Sequence, residues 1–168
     1  MKIRLHGRGG QGVKTAARII GRAFFLSGYN VQDFAMYGAE RRGAPVTSFV
    51  RASRGEILER GYIFSPDLVV LFDDTLNFDV VKKGLKGEFL VNTSGKIPGA
   101  KTVDATKIAM EIFGAPIVNT GMCGAVSRVL GIDLGLMERA IEIELRSLGI
   151  RDVRKNLEAA RECWKRVS

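Results

Sequence analysis

The sequence predicts a three-layer α/β/α single domain with a mostly parallel sheet. Three observations predict it. Strand-like and helix-like segments alternate over most of the 168 residues, the order that builds parallel sheets. The run Leu68-Val69-Val70-Leu71-Phe72 is apolar without a break, as a strand buried on both faces reads. A glycine-rich turn joins the first strand-like segment to the first helix-like one, as phosphate-binding α/β domains begin.

Taken in order, residues 2–6 alternate polar and apolar and read as a short strand. Gly7-Arg8-Gly9-Gly10-Gln11-Gly12 follows as a tight loop. Over 13–27, Ala16, Ile19, Ile20, Ala23 and Phe24 recur at helical spacing, and Gly28 is placed to close that helix. Residues 29–34 read as a strand, 36–44 as a loop, and 45–52 as an extended strand with Val46 and Val50 on one face and Phe49 on the other. Residues 67–72 form the buried strand, 75–83 a short helix, 88–91 another buried strand and 101–103 a short one. Helical character returns over 105–113 and stops at Gly114. Residues 116–119 read as a last extended piece, and 120–130, 134–147 and 153–166 as three helices. Leu134, Met137, Ile141, Leu145 and Leu148 keep one face of the second of these, and Leu157, Ala160, Trp164 and Val167 one face of the third. No repeat or linker interrupts the pattern, so residues 1–168 read as one domain.

Composition excludes several classes. At 46% apolar residues the chain can pack a core. The cysteines are Cys123 and Cys163, without a C-x-x-C pair, so a disulfide framework is excluded. An iron–sulfur cluster usually takes about four thiolates, so none is expected on this chain alone. His6 is the one histidine, which argues against a zinc site; no metal site is expected. No apolar run approaches the roughly 20 residues that span a bilayer. Met1-Lys2-Ile3-Arg4-Leu5-His6 is charged from the start, unlike a signal peptide. A cytoplasmic protein without membrane contact is expected. The net charge of +8 is uneven: residues 1–60 hold 11 Lys/Arg against 4 Asp/Glu, and residues 61–168 hold 15 against 14. That excess, beside the glycine loop, suggests an anionic ligand or partner, although a basic soluble surface has the same composition. Nucleic acid is disfavoured, because the early arginines are scattered among apolar positions without interleaved aromatics.

The chemistry-bearing candidates are few. Gly7-x-Gly9-x-x-Gly12 between a strand and a helix matches the dinucleotide fingerprint, and Asp33 stands near the position of its acidic residue. A free-standing oxidoreductase binding NAD(P) or flavin is therefore one reading. The stretch misses a P-loop, because Val13 sets Lys14 one residue late and turns it by about 100° on the helix. Glu40-Arg41-Arg42-Gly43 is a charged loop segment whose arginines suit phosphate or carboxylate; a solvated turn with Glu40 paired to an arginine is the alternative. Asn119 could cap a helix or orient a ligand. Cys123 suits a packing contact, His6 a structural hydrogen bond, and Asp73-Asp74 either a ligand crevice or a helix cap. No catalytic residue is assigned.

Two motifs together carry a family resemblance. His6-Gly7-Arg8-Gly9-Gly10-Gln11-Gly12 and Glu40-Arg41-Arg42-Gly43-Ala44-Pro45-Val46 resemble the gamma subunit of 2-oxoacid:ferredoxin oxidoreductases, of the pyruvate and 2-ketoisovalerate type. The likeness continues through Pro66-Asp67-Leu68-Val69-Val70-Leu71, Val103-Asp104-Ala105-Thr106-Lys107-Ile108-Ala109 and Pro116-Ile117-Val118-Asn119-Thr120. The chain departs from the family in being somewhat short and lean over 53–64.

The resemblance implies a subunit that is inactive alone. In its complex a 2-oxoacid, coenzyme A and oxidised ferredoxin give acyl-CoA, carbon dioxide and reduced ferredoxin. Thiamine diphosphate and iron–sulfur clusters are implied on alpha, beta and delta partner subunits. In fused relatives the matching third catalytic domain is associated with coenzyme A. Gly7, Arg8, Gly9, Gly10, Gln11, Gly12, Glu40, Arg41, Arg42, Gly43 and Asn119 are accordingly expected to hold coenzyme A or shape its entrance, or else to contact partner subunits. A homodimer is expected only when the chain is isolated.

Overall fold

The computed structural model describes residues 1–36 and 42–168. Among them, β1 (Lys2–Arg8), β2 (Asn30–Ala35), β3 (Pro45–Ser53), β4 (Leu68–Leu71), β5 (Glu88–Asn92) and β6 (Lys101–Val103) form one sheet in the order β2-β3-β1-β4-β5-β6. β1, β4, β5 and β6 are successively parallel, and β3 runs antiparallel to both β1 and β2. The sheet is thus mostly parallel, with one reversed strand between β1 and β2. The helices are α1 (Val13–Leu26), α2 (Phe78–Lys82), α3 (Ala105–Phe113), α4 (Asn119–Leu130), α5 (Leu134–Ser147) and α6 (Arg154–Arg166).

Strand alternation divides the core into two unequal parts. Ile3, Leu5, Val50, Leu68, Val70 and Leu90 point to the face covered by α1, α3, α4, α5 and α6, where Ile20, Ile108, Met122, Ile141 and Ala160 meet them. Val69, Leu71, Phe89 and Val91 point the other way, against Val81 of α2 and partly buried Leu76, Leu85 and Ile97. Burial on both faces explains the unbroken apolar run of β4. The third layer is therefore thin, with one short helix and irregular chain. Beneath β2 and β3 it contains a ring stack: Phe49 lies 4.9 Å from Phe34 and 5.5 Å from Tyr62 between centroids.

Most helix limits follow the apolar periodicity. Ala16, Ile19, Ile20, Ala23 and Phe24 are all buried. Met137, Ile141 and Leu145 face the core, whereas Leu148 lies past the end of α5 and is exposed. Cys163 and Ala160 centre the buried side of α6. Helices α4 and α6 touch through glycine. A Cβ on Gly124 would run into the Ala160 carbonyl, and one on Gly121 would lie 2.8 Å from the Cys163 sulfur. Cys123 is fully buried beside them, as its packing role predicts.

Two local expectations are corrected. The strand expected to stop at His6 continues through Gly7 and Arg8, because pairing with β3 extends to Arg8 opposite Pro45. The extended piece expected over 116–119 is not a strand; Asn119 is already the first residue of α4, after a Val118 N-cap with no side-chain cap bond. Asn119 is therefore not the N-cap residue, although its Oδ1 accepts from the Thr120 N–H at 2.9 Å in the first turn of α4.

Candidate functional site

The chain leaves β1 into α1 on one face and β4 into α2 on the other. Neighbouring strands that part in this way open a crevice at their carboxyl ends, where ligands bind in open α/β sheets. The residues there are Arg8 to Gly12 after β1 and Phe72 to Asp74 after β4.

A polar network ties the two strand ends together. Arg8 donates from Nε to Asp73 Oδ2 at 3.1 Å, from one terminal nitrogen to the Gly43 carbonyl at 3.2 Å, and from the other to Thr75 Oγ1 at 2.7 Å. Gln11 accepts from the Arg8 N–H at 2.8 Å and donates to Asp73 Oδ2 at 3.0 Å. Burial works against the Asp73 carboxylate. Bonds from Thr75 and Gln11 and the charge of Arg8 outweigh it and hold the carboxyl below its usual range. Arg8 and Gln11, expected as ligand contacts, also brace the loop. Gly43, also expected there, seals it: its N–H donates to the Gly9 carbonyl at 3.0 Å, and the Gly9 N–H to the Ala44 carbonyl at 2.8 Å.

Each loop glycine has a distinct reason. Gly7 has no room for a side chain, since a Cβ would approach Val13 to 2.6 Å and Phe72 to 2.9 Å. Gly12 is the N-cap of α1 in the left-handed region, φ 72°, and a Cβ there would lie 2.7 Å from the Asn119 amide. It thus lets the starts of α1 and α4 pack together, with Asn119 as the contact. Gly10 is left-handed too, with the Arg42 side chain at 3.7 Å as its one near neighbour among the described residues. No side chain caps α1, so its first N–H groups and dipole end face the crevice mouth.

Two hollows flank this loop. One, of about 440 Å³, is lined by Arg8, Gly9, Gly10, Gly12, Lys14 and Arg42, with Val13, Met36 and Val46 as apolar wall. Among the described residues its lining has cations and no acid. The other, of about 530 Å³, is lined by Gln11, Asp73, Asp74, Asn92, Asp104 and Thr106, with Lys107. The lining cations and the α1 N-terminus favour negative charge in the first, and the carboxylates oppose it in the second.

The remaining candidates lie elsewhere. Glu40 and Arg41 fall outside the described residues. Asp33 sits on β2, separated from β1 by β3, and lines a distinct hollow with Arg18, Arg22 and Glu144. Burial raises its carboxyl pKa. The acidic residue of a dinucleotide fingerprint thus does not reach the glycine loop. His6 shares a 3.2 Å contact through Nδ1 with Thr47 Oγ1, and burial, with Arg4 nearby, lowers its pKa to about 4. It is a neutral structural histidine. Burial pushes the Cys123 thiol far up and Cys163 to about 12, so neither is a nucleophile.

Several cations of residues 1–60 are engaged by the fold, although Arg4 and Arg51 are the only buried ones among the described residues. Arg4 donates to three backbone carbonyls, Arg51 to one, Arg18 and Arg22 bracket Glu144, and Arg54 stacks 4.1 Å over Tyr29. Only part of that charge faces the crevice. Sequence reasoning missed Asn92, which donates to the Phe72 carbonyl and to Thr106 and so shapes the acidic hollow. A polar residue ending an apolar strand was the available signal.

Comparison with known proteins agrees with this architecture. The family model for pyruvate ferredoxin/flavodoxin oxidoreductase matches residues 2–165. The chain is 42% identical to the pyruvate/ketoisovalerate oxidoreductases common subunit gamma of Thermococcus litoralis, over 99% of this chain and 97% of that protein. It is 42% identical to the pyruvate synthase subunit PorC of Methanothermobacter thermautotrophicus, over 99% and 96% respectively. The crystal structure of pyruvate oxidoreductase subunit PORC from Thermotoga maritima superposes with a TM-score of 0.85 at 35% identity, covering 100% of this chain and 97% of that one. With the fold, the glycine loop and the full-length matches in agreement, the chain belongs to the pyruvate ferredoxin/flavodoxin oxidoreductase family.

Proposed function

We propose that this chain is the gamma subunit of a multisubunit 2-oxoacid:ferredoxin oxidoreductase of the pyruvate or 2-ketoisovalerate type, acting as one domain over residues 1–168 and inactive alone. The observation that carries this reading is the end-to-end match with gamma subunits of that type. In the complex a 2-oxoacid and coenzyme A become acyl-CoA and carbon dioxide, and the electrons pass to ferredoxin. Thiamine diphosphate and iron–sulfur clusters belong to alpha, beta and delta partners. Both cysteines here are buried in helix packing, which suits a subunit that leaves cluster chemistry to others. No described helix is long and apolar enough to cross a membrane, in keeping with work in the cytoplasm.

Coenzyme A meets this chain at the cationic hollow. A phosphate group fits against the α1 N-terminus between Lys14 and Arg42, and Val13, Met36 and Val46 offer an apolar wall to an uncharged section of the molecule. Gly9, Gly10 and Gly12 allow the close approach; Gly7, Arg8, Gln11, Gly43 and Asn119 hold the loop in shape. Glu40 and Arg41 adjoin Arg42 in sequence and lie outside the described residues.

A tagged chain purified anaerobically from its host, with companions identified by mass spectrometry, tests the assignment. A thiamine-binding chain and a ferredoxin-like chain are expected with it. Recovery of this chain alone overturns the subunit reading and turns attention to NAD(P) and flavin binding.

A further inference from the structure

We propose that Asp73 is an internal rival of the ligand anion: it holds Arg8 in the unliganded chain, and a phosphate group entering the cationic hollow draws the Arg8 guanidinium away from it. The proposal rests on the placement of coenzyme A in that hollow. It adds Arg8 as a ligand contact and Asp73 as a positioning residue that sets the strength of binding.

Arg8 lines the cationic hollow, yet its charge is already matched. Its Nε donates to Asp73 Oδ2 at 3.1 Å, while its side chain stays 33% exposed. Asp73 itself lines the acidic hollow, so the ion pair joins the two. Its carboxyl lies below the usual range and is ionised at neutral pH. A phosphate group offers an arginine more acceptor oxygens than a carboxylate does, with at least the same charge.

The exchange strands no polar group. Without Arg8, Asp73 Oδ2 still accepts from Gln11 Nε2 at 3.0 Å, and Oδ1 still accepts from the Thr75 N–H at 3.1 Å and hydroxyl at 2.5 Å. The contacts of Arg8 with the Gly43 carbonyl and Thr75 Oγ1 are exposed, so water can replace them. The Arg8 N–H keeps Gln11 Oε1 at 2.8 Å, which preserves the turn. A side-chain exchange is unfavourable chiefly when it leaves a buried polar group unpaired.

Other arginines lack this freedom. Arg4, on the same strand, is buried and supplies the carbonyls of Ile63, Val81 and Lys83. Arg51 is buried against the Gly61 carbonyl. Arg18 and Arg22 neutralise Glu144, which is buried and would be left as an unpaired charge. Arg8 differs from these four in that its partner stays satisfied after it leaves.

Asp73 therefore strengthens the fold and weakens anion binding. Removing its charge should move the two in opposite directions, whereas a purely structural residue would weaken both.

The test is equilibrium binding of coenzyme A to the assembled enzyme without 2-oxoacid. Asp73→Asn and Asp73→Ser should each bind at least threefold more tightly than wild type, and Arg8→Gln at least threefold more weakly. Asp73→Asn added to Arg8→Gln should restore nothing, because its effect passes through Arg8. Unchanged or weaker binding in the assembled Asp73 variants overturns the proposal, as does an equal gain with and without Arg8. A structure of the wild-type enzyme with coenzyme A decides without any variant. Arg8 on a phosphate, with Asp73 kept by Gln11 and Thr75, is expected; Arg8 still on Asp73 without a phosphate contact overturns the exchange. Wild-type affinity in an assembled Arg42→Ala enzyme removes coenzyme A from the hollow, and this proposal with it. Weaker binding in Arg42→Ala beside Asp73 variants that gain nothing overturns only the exchange.

Discussion

Arg8 and Asp73 bind across the carboxyl ends of β1 and β4, Nε to Oδ2 at 3.1 Å, exactly where the chain parts to opposite faces of the sheet. The pair closes the floor of the crevice between the cationic and acidic hollows. Its geometry gives the loop's most conspicuous arginine a part in the architecture.

Asp73→Asn should therefore destabilise the fold by about 1–2 kcal/mol at pH 7, the scale of charge-assisted hydrogen bonds that are partly exposed. Because the folded carboxyl titrates below its usual range, its contribution is present above the unfolded value of about 3.9 and fades as pH falls through the folded one. Urea unfolding of both proteins at pH 7 and in acid checks this. The gap between them should shrink in acid, and a gap that widens contradicts the network.

His6 gives a second pH signature. Its folded pKa is lowered to about 4, so between that value and the unfolded value of about 6.5 the unfolded chain binds the proton more readily. Stability is complete above that window and declines as pH falls through it, by about 3 kcal/mol. As the one histidine, its ring protons give an unambiguous NMR titration. A midpoint near 6.5 refutes the burial argument, and His6→Gln should flatten the stability profile.

Arg4 is the larger structural commitment. Arg4→Met preserves length but leaves the Ile63, Val81 and Lys83 carbonyls without their donor. A loss of about 3–5 kcal/mol is expected, as for a broken buried charged contact. Hydrogen exchange should speed first in residues 57–66 and 80–86. Uniform exchange with unchanged stability would deny the clamp.

These arginines also show how far the sequence could be read. β4 was legible because burial on both faces leaves no polar position, and α1 because its stripe has one period. The reversal of β3 was not, since an apolar pattern records burial and carries no direction. The basic excess was readable only as a sum for a related reason: a charge count does not say that Arg4 and Arg51 turn inward. Arg4 alternates with Ile3 and Leu5, which face the large core, so it must enter the opposite layer. Nothing in its own strand says that this layer is closed over it. Glu144 was a readable clue. It stands beside Leu145 on the buried side of α5, where an acid needs a partner, and Arg18 and Arg22 supply it at 3.4 and 2.8 Å. In the site, the glycines were legible as a group, but their division into packing positions and an open one depends on Val13, Phe72 and Asn119, which only the fold brings near.

Gly124→Ala tests the α4–α6 contact. An exposed helical glycine gains up to about 1 kcal/mol from this change. Here the new methyl group meets the Ala160 backbone, which cannot rotate aside as a side chain does. Net destabilisation of about 2 kcal/mol or more is expected, at the upper range of overpacking. Thermal melting settles the sign, and any rise in stability removes the close approach as a feature of the packing.

Arg42 is the residue through which the cationic hollow can be tested separately from the fold. Both it and Arg8 line the hollow, but Arg8 is also bonded to Asp73, Thr75 and Gly43. Arg42→Ala should therefore spare stability and assembly, and Arg8→Ala should not. If a coenzyme A phosphate lies there, loss of one charge-assisted contact of about 1.5–3 kcal/mol raises the coenzyme A requirement of the assembled enzyme by roughly 10- to 100-fold. The requirement for the 2-oxoacid should stay unchanged, because the missing contact touches only one substrate. Arg42→Lys should recover part of the effect, since an ammonium keeps the charge but loses the planar pair of donors. A normal coenzyme A requirement in a fully assembled Arg42→Ala enzyme would leave the loop without phosphate contact through this residue, and an assembly defect without a kinetic one would make Arg42 an interface contact.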